Sequence, residues 1–157
     1  MTTPVANPNV VGTAPKKPRP TLRSRHFGYG LAIAINVIFI FAINEWPGWQ
    51  EVPFLTDQTP DVLPLVNASL VISIVVNAAY LMADPRWFKA LGDTFTAAVA
   101  FVVTLAVLVV FPFDFSAYSF DWKMLVTVML WIALIGSAVG VIANLVAFVR
   151  ALGATDD

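Results

Sequence analysis

Four long apolar stretches, Phe27–Asn44, Leu63–Ala83, Leu91–Phe111 and Leu125–Val149, restrict this chain more than any other feature. None holds a Lys, Arg or Glu in its interior, and the only acid is Asp93, at the start of the third. Each is close to the roughly 20 residues that carry an α-helix across a hydrocarbon core. The chain is 59% hydrophobic and 12% charged, so a soluble single-core fold would expose far too much apolar surface. The sequence therefore predicts an all-α integral membrane protein, a four-transmembrane-helix antiparallel bundle over residues 26–150. A Pro-rich basic tail is expected before it at 1–25, and a short tail after it at 151–157.

The basic residues set the orientation, because Lys and Arg accumulate on the cytoplasmic side of a membrane. Lys16, Lys17, Arg19, Arg23 and Arg25 precede the first stretch with no acid among them. The connection at 45–62 carries Glu45, Glu51, Asp57 and Asp61 and no base; Arg86 and Lys89 follow the second stretch, Lys123 the third and Arg150 the fourth. Four spans place eight of the nine bases on one side. Both termini are expected in the cytoplasm, and composition points to the inner membrane of a cell. The first stretch is preceded by bases, as a signal peptide is, but it is longer than the usual apolar region and lacks a small-x-small cleavage site. It reads as a retained span.

The five prolines in residues 1–25 deny backbone donors and break helices, so this tail is expected to be disordered. Its five bases suit contact with anionic lipid, at about 1 kcal/mol each, and give no argument for nucleic acid. The connections 45–62 and 112–122 are dense in aromatic residues and are expected to lie at the opposite interface, where an apolar ring with a polar edge is at ease. An aromatic lid over a lipid or quinone tail is the functional alternative there.

Several kinds of chemistry lack their residues. There is no cysteine and a single histidine, His26, so thiolate metal sites and bis-histidine haem within one chain are not available. No nucleophile-and-base pair falls within a span, and Glu45, Asp57, Asp114 and Asp121 sit in no catalytic motif. We therefore expect no enzyme, no cofactor and no metal site. Asp93 reads as a first-turn residue favoured by the helix dipole.

The polar groups inside the spans are amides and hydroxyls. Asn36, Ser73, Asn77 and Asn144 form a possible intramembrane polar site; their other reading is interhelical glue, at about 0.6 kcal/mol per hydrogen bond. Ala133, Gly136, Ser137, Gly140 and Ala147 recur at three- and four-residue steps with Asn144, making a small-residue packing face that includes a Gly-x-x-x-Gly pair. The leading functional expectation is a non-catalytic accessory or interaction subunit of a membrane complex, with membrane lipids and a second membrane protein or further copies of itself as partners. The alternative is a small oligomeric transporter or lipid-handling protein using the Asn/Ser-lined site.

Overall fold

The computed structural model describes residues 20–153. They form four long helices, α1 (Leu22–Asn44), α2 (Thr59–Met82), α3 (Arg86–Val110) and α4 (Trp122–Gly153). All four are long and apolar enough to cross a membrane. At about 1.5 Å per residue, even the 23 residues of α1 reach about 35 Å.

Each helix overlaps one apolar stretch but begins three to five residues before it. The reason is local capping. Thr21 Oγ1 accepts from the Ser24 amide at 3.3 Å, so α1 starts at Leu22 and takes in Arg23 and Arg25. Thr59 and Pro60 open α2, where a proline in the first turn forfeits no helical hydrogen bond. Pro85 caps α3, which starts at Arg86. Asp121 Oδ1 accepts from the Met124 amide at 3.0 Å and so caps α4. Asp93 consequently lies eight residues into α3 and not in its first turn, which holds no acid. Lys16, Lys17 and Arg19 fall outside the described residues.

Packing follows chain order. α1 packs on α2, α2 on α3 and α3 on α4, whereas α1 and α4 do not pack closely on each other. Very little is buried as a result. Val62 and Tyr80 are 3% exposed, Tyr29, Ala90 and Leu134 are also buried, and large apolar side chains such as Ile38, Val109 and Ile132 stand in the open. For a helix whose surroundings are hydrocarbon this is the expected distribution, since lipid tails are as apolar as leucine.

The connections differ sharply. Between α2 and α3 only residues 83–85 intervene. The α1–α2 connection is longer, passes through a cis Trp46–Pro47 bond and contains a short 3₁₀ turn at Trp49–Glu51. It pairs with the α3–α4 connection through an antiparallel bridge between Leu55 and Phe113. The Thr56 amide donates to the Pro112 carbonyl at 3.2 Å and the Asp114 amide to the Phe54 carbonyl at 2.9 Å. Phe54, Phe113 and Phe115 stack around this bridge, with centroids 5.6–6.5 Å apart. Pro112 is fully buried, and Phe111 ends α3 in the left-handed region at φ 46°.

Candidate functional site: a polar groove among the four helices

A groove of about 600 Å³ runs among the helices and draws polar groups from each of them. Asn36 comes from α1, Ser69 and Ser73 from α2, Asp93, Thr96 and Thr104 from α3, and Asn144 from α4. The open arrangement creates it, because α1 and α4 both line the groove without closing on each other.

The α1 wall is fixed by a hydrogen bond across the helix seam. Asn36 Nδ2 donates to Ser73 Oγ at 3.1 Å and to the Ala32 carbonyl of its own helix at 2.7 Å. Further along the same seam, Asn44 and Asn67 exchange two amide hydrogen bonds at 2.9 and 2.7 Å. Helix α1 is thus held to α2 by amides at two depths. Most hydroxyls do something else: Ser69, Thr94, Thr96 and Ser137 donate to carbonyls one turn earlier in their own helices. They satisfy themselves and join nothing.

One end of the groove is charged. Asp93 accepts from Lys89 Nζ at 2.6 Å and from the Tyr80 hydroxyl at 3.1 Å. The Tyr80 hydroxyl also lies 2.9 Å from the Lys89 carbonyl oxygen, and Lys89 Nζ stands 5.1 Å from the centre of the Tyr80 ring. Gly92 makes the approach possible, since a Cβ there would fall 2.2 Å from the Tyr80 hydroxyl oxygen. The Tyr80 ring packs on Tyr29 at 5.3 Å, and the Tyr29 hydroxyl donates to Asp84 at 3.1 Å. Asp84 also pairs with Arg25. The start of α1, the end of α2 and the start of α3 are therefore joined by two clusters of charge and hydroxyl groups that meet through the Tyr29 and Tyr80 rings.

The four residues singled out in the sequence separate here. Asn36 and Ser73 meet directly, and Asn144 lines the same groove. Asn77 is placed differently: its Nδ2 donates to the Ser73 carbonyl at 2.8 Å and is 3.4 Å from Ser73 Oγ, and it does not line the groove. The Asn144 side chain makes no hydrogen bond to another described residue. Asp93, Thr96 and Thr104 join the groove without having been grouped with the asparagines by spacing. Their signal was the polar residues of the third stretch, but nothing in the sequence shows toward which neighbour that face turns.

On α4 the less exposed side follows Leu130, Leu134, Ser137, Val141, Asn144 and Phe148, at alternating steps of four and three. Gly140 approaches Ala97 of α3 at ordinary contact, 3.6 Å for an added Cβ, while Gly136 meets nothing within 4 Å. Ala133, Gly136 and Ala147 are exposed. Among the described residues, no three of His, Cys, Asp and Glu gather as metal ligands. Comparison with protein-family models, with curated proteins and with solved structures finds no match to this chain.

Proposed function

We propose that this chain is a non-catalytic subunit of a membrane complex and that its polar groove is the face a partner helix covers. The observation that carries the proposal is Asn144, whose side-chain amide lies on the groove wall with no hydrogen bond among the described residues, beside a gap that α1 and α4 leave open. An amide unpaired in hydrocarbon costs several kcal/mol, by about the measure of any unsatisfied polar group in lipid. A polar side chain from a second protein would satisfy it and seal the gap. The basic residues before and within the first turn of α1 and in the first turn of α3 support a seat in the inner membrane with both termini cytoplasmic.

The test is cross-linking mass spectrometry on native membranes holding the tagged protein at its natural level, with wild type and Asn144→Leu compared. One reproducible partner, lost in the variant while the variant keeps its thermal midpoint, is the expected result. Wild-type protein that links to no other chain sinks the proposal. Orientation is accessible separately because the chain has no cysteine. Gln58→Cys is expected to react with an impermeant maleimide from outside the cell, and a cysteine at Arg86 only after lysis.

A second reading has its own support in Asp93, a carboxylate lining the same groove. A small polar or cationic solute would find there an anion, two amides and several hydroxyls, in an oligomer that transports it. Lys89 already offsets the charge of Asp93, and so the subunit reading leads. Uptake abolished by Asn36→Leu in protein that links to no other chain would reverse that order.

A further inference from the structure

A second cavity lies at the opposite end of the helices and shares no residue with the polar groove. It measures about 430 Å³, within the range of roughly 300–1,000 Å³ of small-molecule sites. Its wall is almost entirely apolar: Phe39 and Ala42 of α1, Leu63 and Val66 of α2, Val107 of α3 and Pro112 beyond it. The α1–α2 connection contributes Trp49 and Leu55.

One polar side chain interrupts this wall. Thr59, the first residue of α2, lines the cavity, is 5% exposed, and its Oγ1 finds no hydrogen-bond partner. A buried hydroxyl without a partner costs about 1–3 kcal/mol, and an apolar pocket with a single oriented polar group is how proteins select one end of a hydrophobic ligand.

We propose that this cavity seats one ester-linked acyl chain of a membrane lipid, with the Thr59 hydroxyl donating to its ester carbonyl oxygen. Depth supports the match. Thr59 stands at the very start of a membrane-length helix, where the ester carbonyls of a bilayer lie, and Val66 is about 10 Å further along that helix. A chain entering beside Thr59 therefore passes along the apolar wall in the direction in which acyl chains run. Access fits as well. Phe39 lines the cavity and is 53% exposed, so the cavity borders the apolar outer surface of α1. The paired connections cover the end away from the helices, through the Leu55–Phe113 bridge.

The experiment uses the full chain in phosphatidylethanolamine and phosphatidylglycerol vesicles, doped with phospholipid carrying a diazirine near the end of one acyl chain. After irradiation, label is mapped by mass spectrometry. The expected result is label at Leu63, Val66 and Val107 in excess of Val75 and Val109, which are 61% and 75% exposed and report bulk lipid. Thr59→Val is expected to cut cavity labelling several-fold and Ala42→Phe to abolish it, both with unchanged labelling at Val75 and Val109. Those two bulk positions also show that each variant is inserted, and an unchanged thermal midpoint shows that it is folded. Label that simply tracks exposure, or that ignores both substitutions, overturns the proposal. Displacement of the probe by an isoprenoid quinone added at one per protein also overturns it, because a ring carbonyl and not an acyl ester would then be the occupant.

Discussion

At the end that carries Arg25 and Asp93 the helices are joined by charged groups and tyrosine hydroxyls; at the other end they are joined by backbone pairing, prolines and stacked rings. The difference follows from what each end must connect. Only three residues link α2 to α3, so side chains on adjoining helix ends are already within reach of one another. The longer connections after α1 and α3 have no helical ladder to satisfy their backbone, and they pair with each other instead. Each end has its own cavity, polar beside the charged network and apolar beneath the paired loops.

The largest effect is expected at Asp84. The Arg25 and Asp84 side chains retain only 14% and 10% of their surface. Removing one member strands a largely buried charge, a loss of about 3 kcal/mol, at the low end for such pairs because some solvent remains. Asp84→Ala is expected to lose that much in unfolding equilibria measured in micelles, whereas the Arg25→Ala, Asp84→Ala double variant loses less than the single one. A double variant as damaged as the single one would mean that the charges do not act as a pair. Next in size is Gly92→Ala. The added methyl must push the Tyr80 hydroxyl away from Asp93, and overpacking of this kind costs about 1–3 kcal/mol. A thermal midpoint equal to wild type would show that Tyr80 does not occupy that position in solution.

Phe54→Ala probes the other end. It removes ring contacts with Phe113 and Phe115, at about 0.5–1.5 kcal/mol each, and because the Phe113 ring is tilted and 6.5 Å away the expected loss lies in the lower part of that sum, about 1–2 kcal/mol. The effect is local. Hydrogen exchange at the Thr56 and Asp114 amides is expected to accelerate while the Tyr80 region stays protected. Uniform acceleration would mean that the two ends open together and that the contrast between them is only chemical.

How much of this was legible in the sequence depends on the range of the interaction. The four helices overlap the four apolar stretches because lipid imposes its own thickness on any span. Their starts were displaced because capping by Thr21 and Asp121 carries polar residues into the helix, against the hydropathy boundary. Asn36, Ser73 and Asn144 could be singled out because an amide or hydroxyl in hydrocarbon needs a partner. Which of them meet could not be read. Asn77 is an amide of the same kind, yet its contacts stay within its own helix, at the carbonyl and hydroxyl of Ser73, whereas Asn36 also reaches across to α2. The choice of neighbours was also hidden: Asp93 enters the groove only because α1 and α4 stay apart, and a single sequence does not encode that as a pattern. The Leu55–Phe113 bridge joins residues 58 positions apart in loops that read only as aromatic.

The smallest effect isolates charge at the loop end, where it serves a single turn. Asp114 is fully exposed, and its carboxyl titrates below the ordinary aspartate value because the Ser116 amide donates to Oδ1 at 2.9 Å, with the Ser116 side chain adding to the effect. A carboxyl lowered by folding stabilises the native state above its unfolded pKa, about 3.9 for aspartate, and the contribution is lost as pH falls through the lower folded value. The turn is therefore insensitive to pH near neutrality and loosens only in strong acid. Carboxyl carbon NMR across an acid titration is expected to place Asp114 below 3.9 or so in the wild type and higher in Ser116→Pro, which lacks the amide proton. The Leu55–Phe113 bridge should persist in that variant, since its hydrogen bonds come from Thr56 and Asp114 backbone amides and not from the carboxylate. Loss of the bridge along with the Asp114 shift would show that the loop end rests on charge after all, as the opposite end does.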